Sequence, residues 1–141
     1  MIKDVFITVK GVNGLDGEQD TIELSTEGRF GIQNGQYFLS YSEGELYNSK
    51  DFVKTKVFIK SQKSVTLERE GGINSKLLIE EGKRNSCLYG TPYGDFMFGI
   101  YGEKIEFQLT ESGGYIKLLY NIDSNSKLVS QNEVNITVKE V

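Results

Sequence analysis

Three features of the chain point to an all-β protein, a single antiparallel up-and-down (meander) β-barrel of about 8–10 strands formed by residues 1–141 as one domain. Apolar residues recur at period 2 in short runs, which places each run's apolar set on one face of a strand. The runs are cut by turns rich in Gly and Asn, in a chain with 16 Gly, one Pro, eight Tyr, eight Phe and no Trp. No amphipathic helix of convincing length interrupts them.

The pattern is densest from Arg84 to Asp123. Phe96, Phe98 and Ile100 share one parity, and Ile105, Phe107 and Leu109 follow after a break at Tyr101-Gly102. Ile116, Leu118, Tyr120 and Ile122 come after Glu111-Ser112-Gly113-Gly114. Breaks this short force antiparallel neighbours, so these three runs read as three strands of a meander with one apolar face to cover.

The remaining strands are placed by the same rule. Val5, Ile7 and Val9 alternate with Phe6, Thr8 and Lys10 in a first strand, and Asn13-Gly14 and Asp16-Gly17 follow as a loop that tolerates positive φ. Ile22 and Leu24 are in register with Phe30 and Ile32, with Gly28 and Gly31 where a long strand can bend or bulge. Asn34-Gly35 signals a hairpin into Gln36 to Glu43, where Tyr37, Leu39 and Tyr41 share a face. Gly44 to Asp51 has no period and reads as a surface loop. Val53, Thr55, Val57 and Ile59 then oppose Lys54, Lys56 and Lys60, and Val65, Leu67 and Arg69 oppose Thr66, Glu68 and Glu70 up to Gly71-Gly72. Leu77 and Ile79 continue, Glu81-Gly82-Lys83 turns, Ser86 to Gly90 brings Cys87 and Tyr89, and Glu133 to Lys139 closes with Val134, Ile136 and Val138. Because nearly every sequence neighbour can be a sheet neighbour, a closed barrel is favoured over a sandwich, and closure removes edges that invite aggregation.

With 141 residues the chain suits one domain that buries roughly 70% of its unfolded surface. The single Cys87 cannot form an internal disulfide, the opening MIKDVFITVKG lacks the apolar run of a secretory signal, and no window reaches the length of a membrane span. A soluble, cytoplasmic protein with no membrane partner is expected. The formal charge of -4 and pI near 5.0 argue against nucleic acid, and Lys54, Lys56 and Lys60 read as solvated decoration of a strand.

Four further stretches carry a family resemblance. They are Tyr37 to Glu43 (YFLSYSE), Val53 to Val57 with Val65 to Gly71 (VTLEREG), Leu88 to Gly94 (LYGTPYG) and the tail Ser130 to Glu140. In that order and spacing the chain resembles the YwiB-like family of small bacterial proteins of unknown function. The resemblance implies a calycin-like (lipocalin-like) barrel and a bacterial cytosolic setting, and it brings no catalytic or binding residue with it.

Chemistry is bounded by an absence. The chain has no His, which removes the commonest general base and metal ligand and every Ser-His or Cys-His pair. One Cys and no His cannot furnish an ordinary zinc site, and Cys87 beside Leu88 and Tyr89 reads as a buried, inert thiol. Glu43 with Glu45, Glu68 with Glu70 and Glu80 with Glu81 are carboxylate pairs, but Glu68 and Glu70 fall on the wet parity. Asp16 to Asp20 lacks the closing Glu of a calcium loop, and Gly11 to Gly17 (GVNGLDG) precedes a strand, so it reads as a hairpin turn and not a phosphate loop. No cofactor, metal or enzymatic activity is expected.

Tyr37, Tyr41, Arg69, Tyr89 and Tyr120 fall on the inward parity and must find partners or water, because burying an unpaired polar group is costly. Either they cap a filled barrel at its mouth, or they line a pocket in which aromatic walls grip an apolar ligand and Arg69 orients an acidic head group. The chain is accordingly expected to be a non-catalytic binding module for a small apolar or acidic ligand, with a filled barrel serving protein interaction as the alternative. Outward Phe6, Phe38, Phe58, Leu78, Met97 and Tyr101 leave a homodimer open.

Overall fold

The computed structural model describes residues 2–42, 53–71 and 74–141. Ten strands follow in order: β1 (Ile2–Leu15), β2 (Glu18–Gln33), β3 (Gln36–Ser42), β4 (Val53–Ser61), β5 (Ser64–Gly71), β6 (Asn74–Glu80), β7 (Arg84–Thr91), β8 (Gly94–Thr110), β9 (Gly113–Ser124) and β10 (Lys127–Glu140). Each pairs antiparallel with the next. β1 also pairs with β10, from Val5 opposite Glu140 to Gly14 opposite Gln131, and this closes the barrel. Gly44 to Asp51, together with Glu43, Glu45 and Gly72, lies outside the described residues.

Local chemistry sets the turns. Asp16-Gly17 (φ 53° and 85°) and Asn34-Gly35 (φ 53° and 77°) are left-handed at both central positions, the backbone whose twist suits a two-residue hairpin. Asn125-Ser126 adopts the same form without glycine. Turns at 34–35, 62–63, 81–83 and 111–112 gather at one end, the base, and those at 16–17, 92–93 and 125–126 at the other, the mouth.

Two expectations about breaks are corrected. Tyr101-Gly102 does not separate two strands: β8 runs through it, and its register against β9 shifts between Gly102 and Lys104. This bulge reverses parity, so Ile100 before it and Ile105 after it both point inward. A Cβ on Gly102 would lie 2.3 Å from the Glu80 carbonyl oxygen, so only glycine fits there. Gly113 and Gly114 belong to β9 and not to the turn, which is Glu111-Ser112.

The middle of the barrel is filled. Leu39, Val57, Leu67 and Leu77 stand opposite one another in one inner layer, and Ile59, Val65 and Ile79 form the next toward the base. They join Val5, Ile7, Ile116, Leu118, Ile136 and Val138 in one buried cluster. Outside, Lys56, Glu68 and Lys76 form a polar row, with Lys76 Nζ 3.5 Å from Glu68, as the wet parity requires. Phe6, Met97 and Tyr101 are exposed there, whereas Phe38 and Phe58 stack at 6.2 Å and are half-buried.

One seam is weak. Among the described residues the β6–β7 ladder keeps only the pairs Asn74–Gly90 and Ser75–Tyr89. Beyond them side chains replace the backbone bonds: Cys87 Sγ donates to the Lys76 carbonyl at 3.3 Å, and Asn85 Nδ2 to the Leu78 carbonyl at 3.3 Å and Glu80 Oε1 at 3.1 Å.

Candidate functional site

One layer above Leu39, Val57, Leu67 and Leu77, toward the mouth, the inward positions turn polar. The register places Tyr41 opposite Thr55, Thr55 opposite Arg69, Arg69 opposite Ser75, Ser75 opposite Tyr89 and Tyr89 opposite Phe96, a single rung across β3 to β8. Directly opposed residues of antiparallel strands bring their Cβ atoms to about 4.5–5.5 Å, so neighbours along the rung interact. Period 2 accounts for the composition: these residues lie two positions from the apolar layer on each strand and share its face.

Exposure grades along the rung. Tyr41 and Thr55 are buried, Arg69, Ser75 and Tyr89 are half-buried, and Phe96 is 48% exposed. Arg69 Nη1 donates to the Tyr89 hydroxyl at 2.9 Å. The Tyr89 ring meets Phe98 edge-on at 5.8 Å, and Phe96 stacks on Phe98 at 6.3 Å. The Ser75 Oγ is buried with no hydrogen-bond partner among the described residues. Phe96 corrects the expectation of a covered apolar face: it shares the inward parity but lies above the packed layers and stays 48% exposed.

The five candidates separate. Tyr41, Arg69 and Tyr89 share the rung. Tyr37 sits toward the base, its ring stacked at 5.6 Å on Phe30, and lies outside the site. Tyr120 is buried on β9, opposite Asn132, whose amide donates to Ser130 Oγ at 3.0 Å. Thr55, Ser75, Phe96 and Phe98 were not singled out from sequence as site residues; Thr55 and Ser75 carry only the parity signal, and Ser75 follows a Gly pair that looks like a turn.

Other candidate chemistry does not converge. Cys87 is buried, and burial pushes its thiol pKa up, so little nucleophilic thiolate is present. Glu80 is engaged by Asn85, and Glu68 by Lys76. Among the described residues no three acidic or Cys side chains come together to hold a metal. Gly14, Asp16 and Gly17 line an outer cleft of about 320 Å³ beside Glu18, Glu103 and Glu133, and that much negative charge is the wrong sign for phosphate. No helix is long and apolar enough to cross a membrane among the described residues.

Comparison with known proteins agrees with this architecture. The chain is 25% identical over 134 residues to the uncharacterised β-barrel protein YwiB of Bacillus subtilis (strain 168), covering 94% of this chain and 91% of that protein. The crystal structure of the ywiB protein from Bacillus subtilis superposes with a TM-score of 0.87 at 24% identity, over 99% of this chain and 93% of that one, which shows the fold. A family model described as a domain of unknown function (DUF1934) matches residues 7–136. A bacterial β-barrel relative, a matching barrel structure and a family model spanning nearly the whole chain lead to one statement: this chain belongs to the DUF1934 family.

Proposed function

We propose that the protein is a non-catalytic binding module whose calycin-like barrel takes a small ligand, apolar in its body and acidic at one end, at the mouth and not in the filled centre. The observation that carries this reading is Phe96, an inward-facing aromatic ring left 48% exposed and stacked on Phe98 beside the Arg69–Tyr89 hydrogen bond. An uncovered aromatic floor beside a few polar groups is how small-molecule sites are commonly built. The absence of His and of any carboxylate in the rung disfavours acid–base catalysis there. A chain whose one Cys is buried, with no internal disulfide to make, suits a cytoplasmic setting. Native mass spectrometry of the gently purified protein, compared with Phe96→Ala, tests the reading. A co-purified or titrated small molecule lost in the variant is the expected result; identical spectra, with no bound mass in either protein, would sink it.

The continuous buried core favours a second reading, a filled barrel used for protein interaction. It predicts that substitution of outward Leu88 and Met97, both exposed and directly opposed, alters association while Phe96→Ala does not. Sedimentation of the three variants separates the two readings and also decides the homodimer.

A further inference from the structure

We propose that the open edge of β8 from Glu103 to Thr110 is a strand-addition site, which takes an extended segment of a partner protein whose residues alternate between apolar and basic. The site lies at the base, the far end from the mouth, and does not depend on the ligand reading.

The edge arises from unequal pairing. β8 pairs with β9 as far as Thr110, opposite Gly113, but its ladder with β7 stops at Tyr101, opposite Arg84. The chain between β6 and β7 covers one residue more: Gly82 N donates to the Gly102 carbonyl at 2.8 Å, and Gly102 N to the Lys83 carbonyl at 3.2 Å. Past Gly102, among the described residues, no strand pairs with β8 on that side. A strand open on one side directs alternate backbone N–H and C=O groups outward, and those groups are a template for one more chain.

Space for that chain is present. A groove of about 460 Å³ runs along the edge, with Glu106, Phe107 and Gln108 on one wall and Gln62, Lys63 and Glu81 on the other. At a rise of about 3.3 Å, a strand spacing of about 4.8 Å and a sheet spacing of about 10 Å, it takes roughly three residues of one extended chain. Beyond the bulge, Phe107 and Leu109 pack against the core while Lys104, Glu106 and Gln108 hold the outward parity. An added strand therefore sets every second residue beside Phe107 and Leu109, where apolar side chains are favoured.

Charge selects the other residues. Glu103, Glu106 and Glu111 border the edge and Glu81 faces it, against Lys63 and Lys104. Lys104 is already held by Glu106 at 2.9 Å. Lysine or arginine at the outward positions complements this excess of carboxylates. A second copy of the chain fits less well: it brings the same carboxylates, and its β8 carries β9 behind it where the groove has room for one strand.

The test uses a labelled heptapeptide of alternating Lys and Val, followed by fluorescence anisotropy and by hydrogen exchange of the complex with the full chain. It is expected to bind and to slow exchange within residues 103–110. The counterpart with Glu in place of Lys is expected to bind roughly tenfold more weakly, and Glu81→Lys to weaken the Lys peptide by roughly the same factor. Two N-methylated versions carry the sharper signature. Only alternate amides of an added strand face the ladder, so methylating one parity should abolish binding and methylating the other should leave it. Both methylated forms binding like the parent, the Glu peptide binding as tightly, or protection that falls outside residues 103–110 would each overturn the proposal. So would no binding by the Lys peptide. Sedimentation of the chain alone identifies the competing occupant: self-association that protects the same amides as protein concentration rises would give the edge to a second copy and overturn the partner strand.

Discussion

Arg84 grips Asp123 through two hydrogen bonds, Nε at 2.9 Å and Nη2 at 2.7 Å, with its guanidinium lying over Gly99, where a Cβ would come within 2.2 Å of Nη2. The bidentate pair ties β7 to β9 across the outer face of β8, and glycine at 99 leaves room for it. The hydrogen bonds from Arg84 hold the Asp123 carboxyl below its ordinary range. A depressed carboxyl contributes stability above its unfolded pKa and loses it as pH falls through the folded value. The stability gap between the native chain and Asp123→Asn is therefore expected to be present at pH 7 and to shrink as pH drops below about 4. Urea midpoints for both proteins at pH 7 and pH 3 check this, and a gap that widens in acid contradicts it.

Gly99→Val addresses the same pair by steric means. The added side chain must displace the flexible Arg84 head group and not backbone, so a folded protein that has lost the ion pair is expected. In this variant the further substitution Asp123→Asn should have no additional effect, a double-mutant cycle read by thermal denaturation.

Leu118 is fully buried in the central cluster. Leu118→Ala is expected to cost about 2–5 kcal/mol in urea unfolding, because the filled interior leaves little room to relax into the cavity. A cost under about 1 kcal/mol would mean that the centre of the barrel is loosely packed.

Gly114 has φ +144°, and a Cβ there would lie 1.9 Å from the Gln108 carbonyl oxygen. The obstacle is backbone, so Gly114→Ala is expected to destabilise by more than about 1 kcal/mol, whereas Gly35→Asn at the hairpin, with open space around it, stays within about 1 kcal/mol. Thermal midpoints of the two variants give the comparison.

Along the weak seam, hydrogen exchange should distinguish β6 and β7 from the rest. Amides of residues 76–80 and 84–88 are expected to exchange faster than those of Val5 to Val9, which are paired on both sides. Asn85→Ala removes the amide that holds Leu78 and Glu80, and it should accelerate exchange and thiol labelling of Cys87 together. Labelling unchanged by the substitution would show that the seam does not open there.

Much of this barrel is legible in the residues alone, because a face buried against a core must alternate and a two-residue reversal must carry left-handed residues. Asp16-Gly17 and Asn34-Gly35 illustrate the second, and the set led by Val53 the first. The bulge at Gly102 was harder to see: a glycine between apolar runs signals a turn and a bulge alike, although the switch from even Ile100 to odd Ile105 was the distinguishing mark. Parity also identifies which side chains face inward but not at what height. Tyr37 and Tyr41 share a strand and a face, yet four residues separate them by about 13 Å along the strand, so one packs on Phe30 and the other joins the rung. Ser75 was missed because the Gly71-Gly72 pair before it hides where β6 begins, and the cross-strand register that sets it beside Arg69 depends on loop lengths that alternation does not report.

β6 and β7 follow one another in the chain, so parting between them cannot unroll this cylinder. The turn at 81–83 ties the two strands at the base, and the Asn74–Gly90 and Ser75–Tyr89 pairs hold them toward the mouth. The seam can therefore gape only as a slit between two fixed ends, and the edges it bares carry Lys76 and Arg84, cations that discourage a second molecule from zipping onto them.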